Sequence, residues 1–363
     1  MMKKAGKKGG KWKNTLVQML LGALLGFFLV VAAEHLVGGI AGFALAFFAL
    51  VVSYPLHILV HEGGHLIAGL LSGYRFVSFR VGSTMWIRQD DRIRRKKFSV
   101  PGTAGQCLLD PPKLRDGTCP VALYNLGGGL ANLLTAVLAA VIGYAVLSPQ
   151  IKLILYIFAL CGVLISAANL LPMKISGIAN DGYNLLFFQK NPESALAFYR
   201  QMKINDYQSR GYRVKDIPEE FFSKEAEQHP EDPLQCGIAV MRMQRLEDEG
   251  RFEEAGLLGR NLLRCKELLP YYRLVIEAEL LFMELIGPCR PGQVEVLFTE
   301  ELKKFLKVSK HSLSTHRILC AYAVRFLHDL AAEGKARKDF ERIAENYPFE
   351  GDIESEKEMM NRI

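Results

Sequence analysis

The chain has 363 residues, half of them hydrophobic and 23% charged, with a mean hydropathy of +0.12 and a formal charge of +7. A mean that high excludes a disordered chain and is unusual for one soluble throughout. The charge is a sum of unlike parts: residues 1–189 carry 18 Lys and Arg against 7 Asp and Glu, a net of +11, while residues 190–363 carry 27 against 31, a net of −4.

Charge is missing from long stretches of the first part. Between Asn14 and Tyr74 there is no Lys or Arg, and the acids are Glu34 and Glu62 alone. From Val121 to Met173 the one charged residue is Lys152. A helix needs about 20 apolar residues to cross roughly 30 Å of hydrocarbon. The pattern therefore predicts four spans: Leu16–Ala33, Ile40–Val60 continuing towards Leu71, Val121–Leu147 and Lys152–Leu171. The alternative is a set of core helices in a soluble domain, but four such runs exceed what one soluble core uses. Leu16–Ala33 also reads as a signal peptide, with a basic start (Lys3, Lys4, Lys7, Lys8, Lys11, Lys13) and a small-residue end at Ala32 and Ala33. Its apolar run exceeds the usual roughly 7–15 residues of such a region.

Basic residues set the orientation. Six Lys precede the first span, ten Lys and Arg lie in Gly73–Pro120, and the connections Glu34–Gly39 and Ser148–Gln150 have none. The N-terminus, the central loop and the C-terminal half are expected on the cytoplasmic side of a plasma membrane, by default a bacterial one. The seven Cys are odd in number, form no C-x-x-C, and six face a reducing compartment in this topology. Neither a structural disulfide nor a Cys-based zinc site is expected.

The second span contains His57-Ile-Leu-Val-His61-Glu62-Gly-Gly-His65, an H-E-x-x-H in an apolar helical run. Positions i and i+4 share one helix face, so His61 and His65 can bind one zinc ion. Glu62 is placed to act as general base on a zinc-bound water. A carboxylate inside an apolar span is costly and marks function by default. His57, one turn earlier, reads as a ligand, a substrate contact or a packing histidine behind the site. Gly63 and Gly64 leave room for metal, substrate or a close helix.

A catalytic zinc wants a third protein ligand. Counting about 1.5 Å per residue from Ile40 puts His61 roughly 31 Å along, near the inner boundary. The fourth span returns to that boundary near Leu171 and is followed by Asn169-Leu-Leu-Pro172 through Asn180-Asp181-Gly182. Asp181 is the carboxylate delivered to the right depth; the bland reading of Asn-Asp-Gly is ordinary turn chemistry.

Together these elements resemble the site-2 protease family of intramembrane zinc metalloproteases (peptidase family M50). That family pairs H-E-x-x-H with a downstream N-x-x-P and D-G element. The matching residues here are His61, Glu62, His65, Asn169, Pro172, Asp181 and Gly182, and Asn125-Leu-Gly-Gly-Gly-Leu-Ala-Asn132 looks like its small-residue element. The resemblance covers roughly residues 40–190. It implies that His61, His65 and Asp181 hold Zn2+ and that Glu62 is the base. It also implies that Asn169 and Asn132 contact substrate, although Asn169 reads equally as a cap on the fourth span. Two departures stand out: Asp181 lies nine residues after Pro172 rather than five, and Tyr183 replaces a second Gly.

In the central loop, Arg75-Phe-Val-Ser-Phe-Arg-Val alternates like a strand and Thr84-Met-Trp-Ile can pair with it. The loop suits either an added substrate strand or anionic headgroups, with Trp86 at the interface. Residues 190–363 read as helices. Gly250-Arg-Phe252-Glu-Glu-Ala255 resembles a tetratricopeptide-repeat turn, and Gly334-Lys-Ala336 is a fainter echo. A small solenoid-like domain with a surface for a protein partner is expected. The absence of a basic stripe excludes nucleic acid.

The sequence thus predicts a mainly α protein. Residues 1–189 form a transmembrane metalloprotease domain with a small membrane-associated β element, and residues 190–363 form a cytoplasmic tetratricopeptide-like domain. The expected activity is zinc-dependent endopeptidase cleavage of membrane or membrane-associated proteins in the bilayer, near its cytoplasmic face. The rival is an inactive membrane-anchored adaptor that recruits partners through its tail.

Overall fold

The computed structural model describes residues 22, 26–89, 92–100, 103–114, 117–175 and 178–363. Helix accounts for 70% of it, which makes the fold mainly α as expected. The backbone gathers into two compact units. One takes the described residues up to Gly64 together with Gly128–Leu171; the other takes His65–Gly127 and Pro172–Ile363.

The first unit is built from helices α1 (Gly26–Leu36), α2 (Gly39–Leu71, up to Gly64), α3 (Val121–Ala145, from Gly128) and α4 (Pro149–Leu170). Among the described residues, α2, α3 and α4 are long and apolar enough to cross a membrane. They correspond to the second, third and fourth expected spans. The first expected span, Leu16–Ala33, lies largely outside the described residues, and its described end belongs to the shorter α1. Small side chains make the helix contacts: Ala33, Ala46 and Ala49 pack with Leu153, Ile157 and Cys161, and Ala136 and Ala139 pack with Ala159. Small residues let helix backbones approach closely. The large apolar residues point outward, Phe47, Phe48 and Leu134 among them, and only 22–39% of each apolar window is buried. A helix in a soluble core buries such residues, so this pattern opposes the soluble-core alternative. Ser148 caps α4 with Pro149 at its first position, a favourable helix start.

In the second unit α2 ends at Leu71 and a short turn leads into an antiparallel sheet of four strands. They are β1 (Arg75–Val81), β2 (Thr84–Gln89), β3 (Arg92–Lys97) and β4 (Gly105–Asp110), in the order β3-β2-β1-β4. The β1–β2 hairpin has the expected pairing, Phe79 opposite Trp86 and Val81 opposite Thr84. Two further strands escaped sequence reading. β3 has five cations in six residues and almost no buried position, so it shows no apolar alternation; it is an edge strand of the charged type that resists unwanted pairing. β4 buries Cys107 and Leu109 against Tyr74 and Met202. Its Asp110 is buried and bonds both Arg75 and Lys203 at 2.6 Å, which ties the sheet to the helix carrying Lys203.

After Leu171 comes a two-stranded hairpin, β5 (Lys174–Ile175) and β6 (Ile178–Ala179). Helices follow: α5 (Asp181–Lys190), α6 (Pro192–Ser209), α7 (Pro233–Asp248), α8 (Phe252–Leu262), α9 (Pro270–Ile286), α10 (Pro291–Leu297), α11 (Glu300–Val308), α12 (Leu313–Tyr322), α13 (Leu330–Ala344) and α14 (Glu350–Met360). Gly250 takes the left-handed backbone (φ 77°) that joins α7 to α8, and Ala255 is fully buried between them. Gly334, the weaker echo of that turn, lies inside α13 instead.

This helical region buries an unusual charge cluster. Arg317 is 1% exposed, bonds Glu279 at 2.7 Å and Glu356 at 2.6 Å, and stacks on Phe282. Glu247, Glu279, Glu356 and Asp352 line a cavity of about 120 Å³ with it. Burial pushes the carboxyl of Asp352 up to about 7, against the help of Gln208, and also raises Glu247 and Glu356. A carboxyl with a raised folded pKa costs stability as pH climbs from its unfolded value towards its folded one. Asp352→Asn removes that cost. We expect the variant to match wild type near pH 4 and to exceed it by up to about 4 kcal/mol above pH 7, read from thermal unfolding across that range. A gain independent of pH would contradict the assignment.

Candidate metal centre

The site is built on one turn of α2. His61 and His65 are one helical turn apart, with Glu62 half-buried beside His61. Pro55 lies six residues before His61 and gives up the backbone hydrogen bond to Val51.

His65 is held by its neighbours. Its Nδ1–H donates to the carbonyl of Tyr124 at 2.7 Å, and its ring lies against the Tyr124 ring. A carbonyl only accepts, so Nδ1 carries the proton and Nε2 presents its lone pair. Nε2 is 3.4 Å from Oδ2 of Asp181. Two electron-rich atoms at that separation are held by a cation between them or a proton on the ring. Two ligands about 2 Å from one tetrahedral metal ion lie about 3.3 Å apart, so the spacing fits a shared ion. Ligand atoms of His61, His65 and Asp181 all lie within 4.8 Å of one another. Two imidazoles and a carboxylate are a donor set suited to zinc and related divalent metals.

Asp181 is delivered by local structure. It is the first residue of α5, and Asn180 caps that helix by accepting from the Tyr183 N–H at 2.9 Å. The same Asn180 oxygen accepts from the Met173 N–H at 3.1 Å, and the Asn180 N–H donates to the Met173 carbonyl. Asn180 therefore closes the β5–β6 hairpin and starts the helix in one place. The Asn-Asp-Gly turn chemistry and the ligand reading hold together: the cap is what aims the carboxylate.

His57 and Asn132 are both fully buried. The Asn132 amide oxygen lies 3.1 Å from His57 Nδ1 and its amide nitrogen 3.2 Å from His61 Nδ1. His57 Nε2 donates to the Phe158 carbonyl at 2.8 Å, and its ring stacks on Phe158. A Cβ on Gly162 would lie 2.6 Å from His57 Cε1, so glycine there makes room for the ring. Asn169, the other asparagine singled out by sequence, donates its amide to the Ile165 carbonyl one turn back on its own helix, at 2.9 Å. The structure thus brings His61, His65 and Asp181 together and adds Asn132 and His57 beside them. Sequence reading missed the Tyr124 carbonyl and the Asn180 cap. A main-chain acceptor leaves no sequence signal, whereas Asn immediately before a short helix is a recognisable cap.

No protein-family profile matches the chain, and no curated protein and no solved structure matches it either.

Asn180→Ala should cost about 1 kcal/mol of stability through the lost cap and also weaken metal retention, although residue 180 is not a ligand. Metal content after dialysis against a mild chelator measures this. Retention equal to wild type would separate the cap from the aim of Asp181.

Proposed function

We infer that the protein is a multi-pass membrane zinc endopeptidase of the site-2 protease type. It hydrolyses peptide bonds of membrane or membrane-associated proteins in the bilayer, near its cytoplasmic face. One observation carries this reading: two histidines one turn apart on an apolar helix, with Asp181 converging on them and Glu62 one residue from the first.

His61, His65 and Asp181 hold the ion. Bound zinc would supply an acidified water and polarisation of the scissile carbonyl. Glu62 would serve as general base towards the attacking water and general acid towards the leaving amine. Tyr124 and Asn180 keep His65 and Asp181 oriented while this happens. The substrate must be extended at the scissile bond, because a helical peptide group is hydrogen-bonded and shielded.

The remaining features support the same reading. The basic loops favour a cytoplasmic N-terminus, central sheet and C-terminal domain, with four spans in a bacterial plasma membrane. The cationic edge strand β3, with half-exposed Trp86 on its neighbour, offers a surface for anionic headgroups. The tetratricopeptide-like helices α7 and α8 belong to a tail that recruits or gates substrates.

The test is cleavage of fluorescent single-span peptides reconstituted with the purified protein. Wild type should cleave a subset, and Glu62→Gln should be slower by about 10²–10⁴-fold while keeping its zinc. Equal cleavage by both would sink the mechanism. A zinc-loaded wild type that cleaves nothing would favour the adaptor reading. Separately, Asp181→Ala should express normally but lose most of its zinc on dialysis; unchanged retention would remove Asp181 from the ligand set.

A further inference from the structure

We propose that His57 and Asn132 form a hydrogen-bond relay, anchored on the Phe158 carbonyl, that fixes the ring tautomer of His61. Both are positioning residues, and their role towards zinc rests on the metal reading above.

His57 meets the Phe158 carbonyl through Nε2 and the Asn132 amide through Nδ1. The carbonyl can only accept, so Nε2 must carry a proton. The structure turns the Asn132 oxygen to Nδ1, and that nitrogen would then also have to donate. His57 would then be a cation, fully buried between apolar helices. Desolvating an imidazolium there is expensive. The cost vanishes when the Asn132 NH2 faces His57, because a neutral ring then donates from Nε2 and accepts at Nδ1. The carboxamide nitrogen and oxygen are nearly isosteric, so the network of partners decides between them.

That choice has a consequence at the other end. Flipping the amide so that its NH2 faces His57 puts its carbonyl oxygen on His61 Nδ1, where the structure has the amide nitrogen at 3.2 Å. An oxygen only accepts, so His61 must carry its proton on Nδ1. Nε2 is then the basic nitrogen, as the His65–Tyr124 pair also makes it for the second ligand. The opposite amide orientation would put the His61 proton on Nε2 and remove its lone pair from ligation. The relay therefore runs from the Phe158 carbonyl through His57 and Asn132 to His61. Gly162 leaves the space that His57 needs. The two ligand histidines on α2 are thus oriented by different devices, a main-chain carbonyl for His65 and a side-chain pair for His61. Outer partners of this kind typically carry about 10–100-fold in metal affinity.

The test uses the purified full chain in detergent, with zinc affinity measured by chelator competition. Asn132→Leu removes both bonds at similar volume and should weaken zinc by about 10–100-fold. Asn132→Asp keeps an acceptor for His61 Nδ1–H and should stay nearer to wild type than Leu. A packing role predicts the reverse order, because a buried carboxylate is a worse filler than leucine; that order would overturn the proposal. A second measurement needs no variant. Nitrogen-15 spectra of histidine-labelled wild type should show His57 neutral with its proton on Nε2, with or without zinc. A proton on His57 Nδ1 would refute the relay. If wild type takes up no zinc, the metal reading fails, while the His57 tautomer still decides the relay.

Discussion

Polar side chains set into apolar helices have to be paired, because an unpaired amide or imidazole there costs roughly 2–7 kcal/mol. In this protein that constraint organises the candidate site. His65 is satisfied by a main-chain carbonyl of α3, and His57 by one of α4. Asn132 spans the gap between two imidazoles. Each pairing also bears on where a proton sits, and the rings of the two candidate ligands are held by groups outside the candidate ligand set.

The third ligand obeys a different logic. Asp181 does not lie within an apolar helix. It stands at the start of a short one, held by a cap that also closes a two-stranded hairpin. A helix start favours a carboxylate, since unpaired N–H groups and the helix dipole both attract negative charge. The same chemistry that ends the turn thus places an acid where two histidines converge. The helical tail shows the converse situation. Its buried acids around Arg317 outnumber the arginine, and burial raises the pKa of Glu247 and Glu356.

Much of this was legible in the sequence. The runs without charge located α2, α3 and α4 because a long apolar helix needs no tertiary information to be recognised. The H-E-x-x-H spacing placed two histidines on one face, since that follows from helix geometry alone. Depth counting pointed to Asp181, which lies near both. The β1–β2 hairpin was visible in its alternation, whereas β3 was not, because a strand exposed on both faces has no apolar period to read. The role of Asn132 was hidden for another reason. The sequence shows an asparagine at the end of a small-residue element, but which imidazole it meets depends on helix packing. Asn169 bonds the Ile165 carbonyl of its own helix.

The central claim is that α2 and Asp181 together hold a zinc ion through two nitrogens and an oxygen. X-ray absorption at the zinc edge of the purified, zinc-supplied chain tests it most directly. The account predicts one zinc per chain, bound by nitrogen and oxygen atoms at about 2.0–2.2 Å, with imidazole scattering from two histidines. Sulfur at about 2.3 Å, or no bound zinc at all, would contradict it.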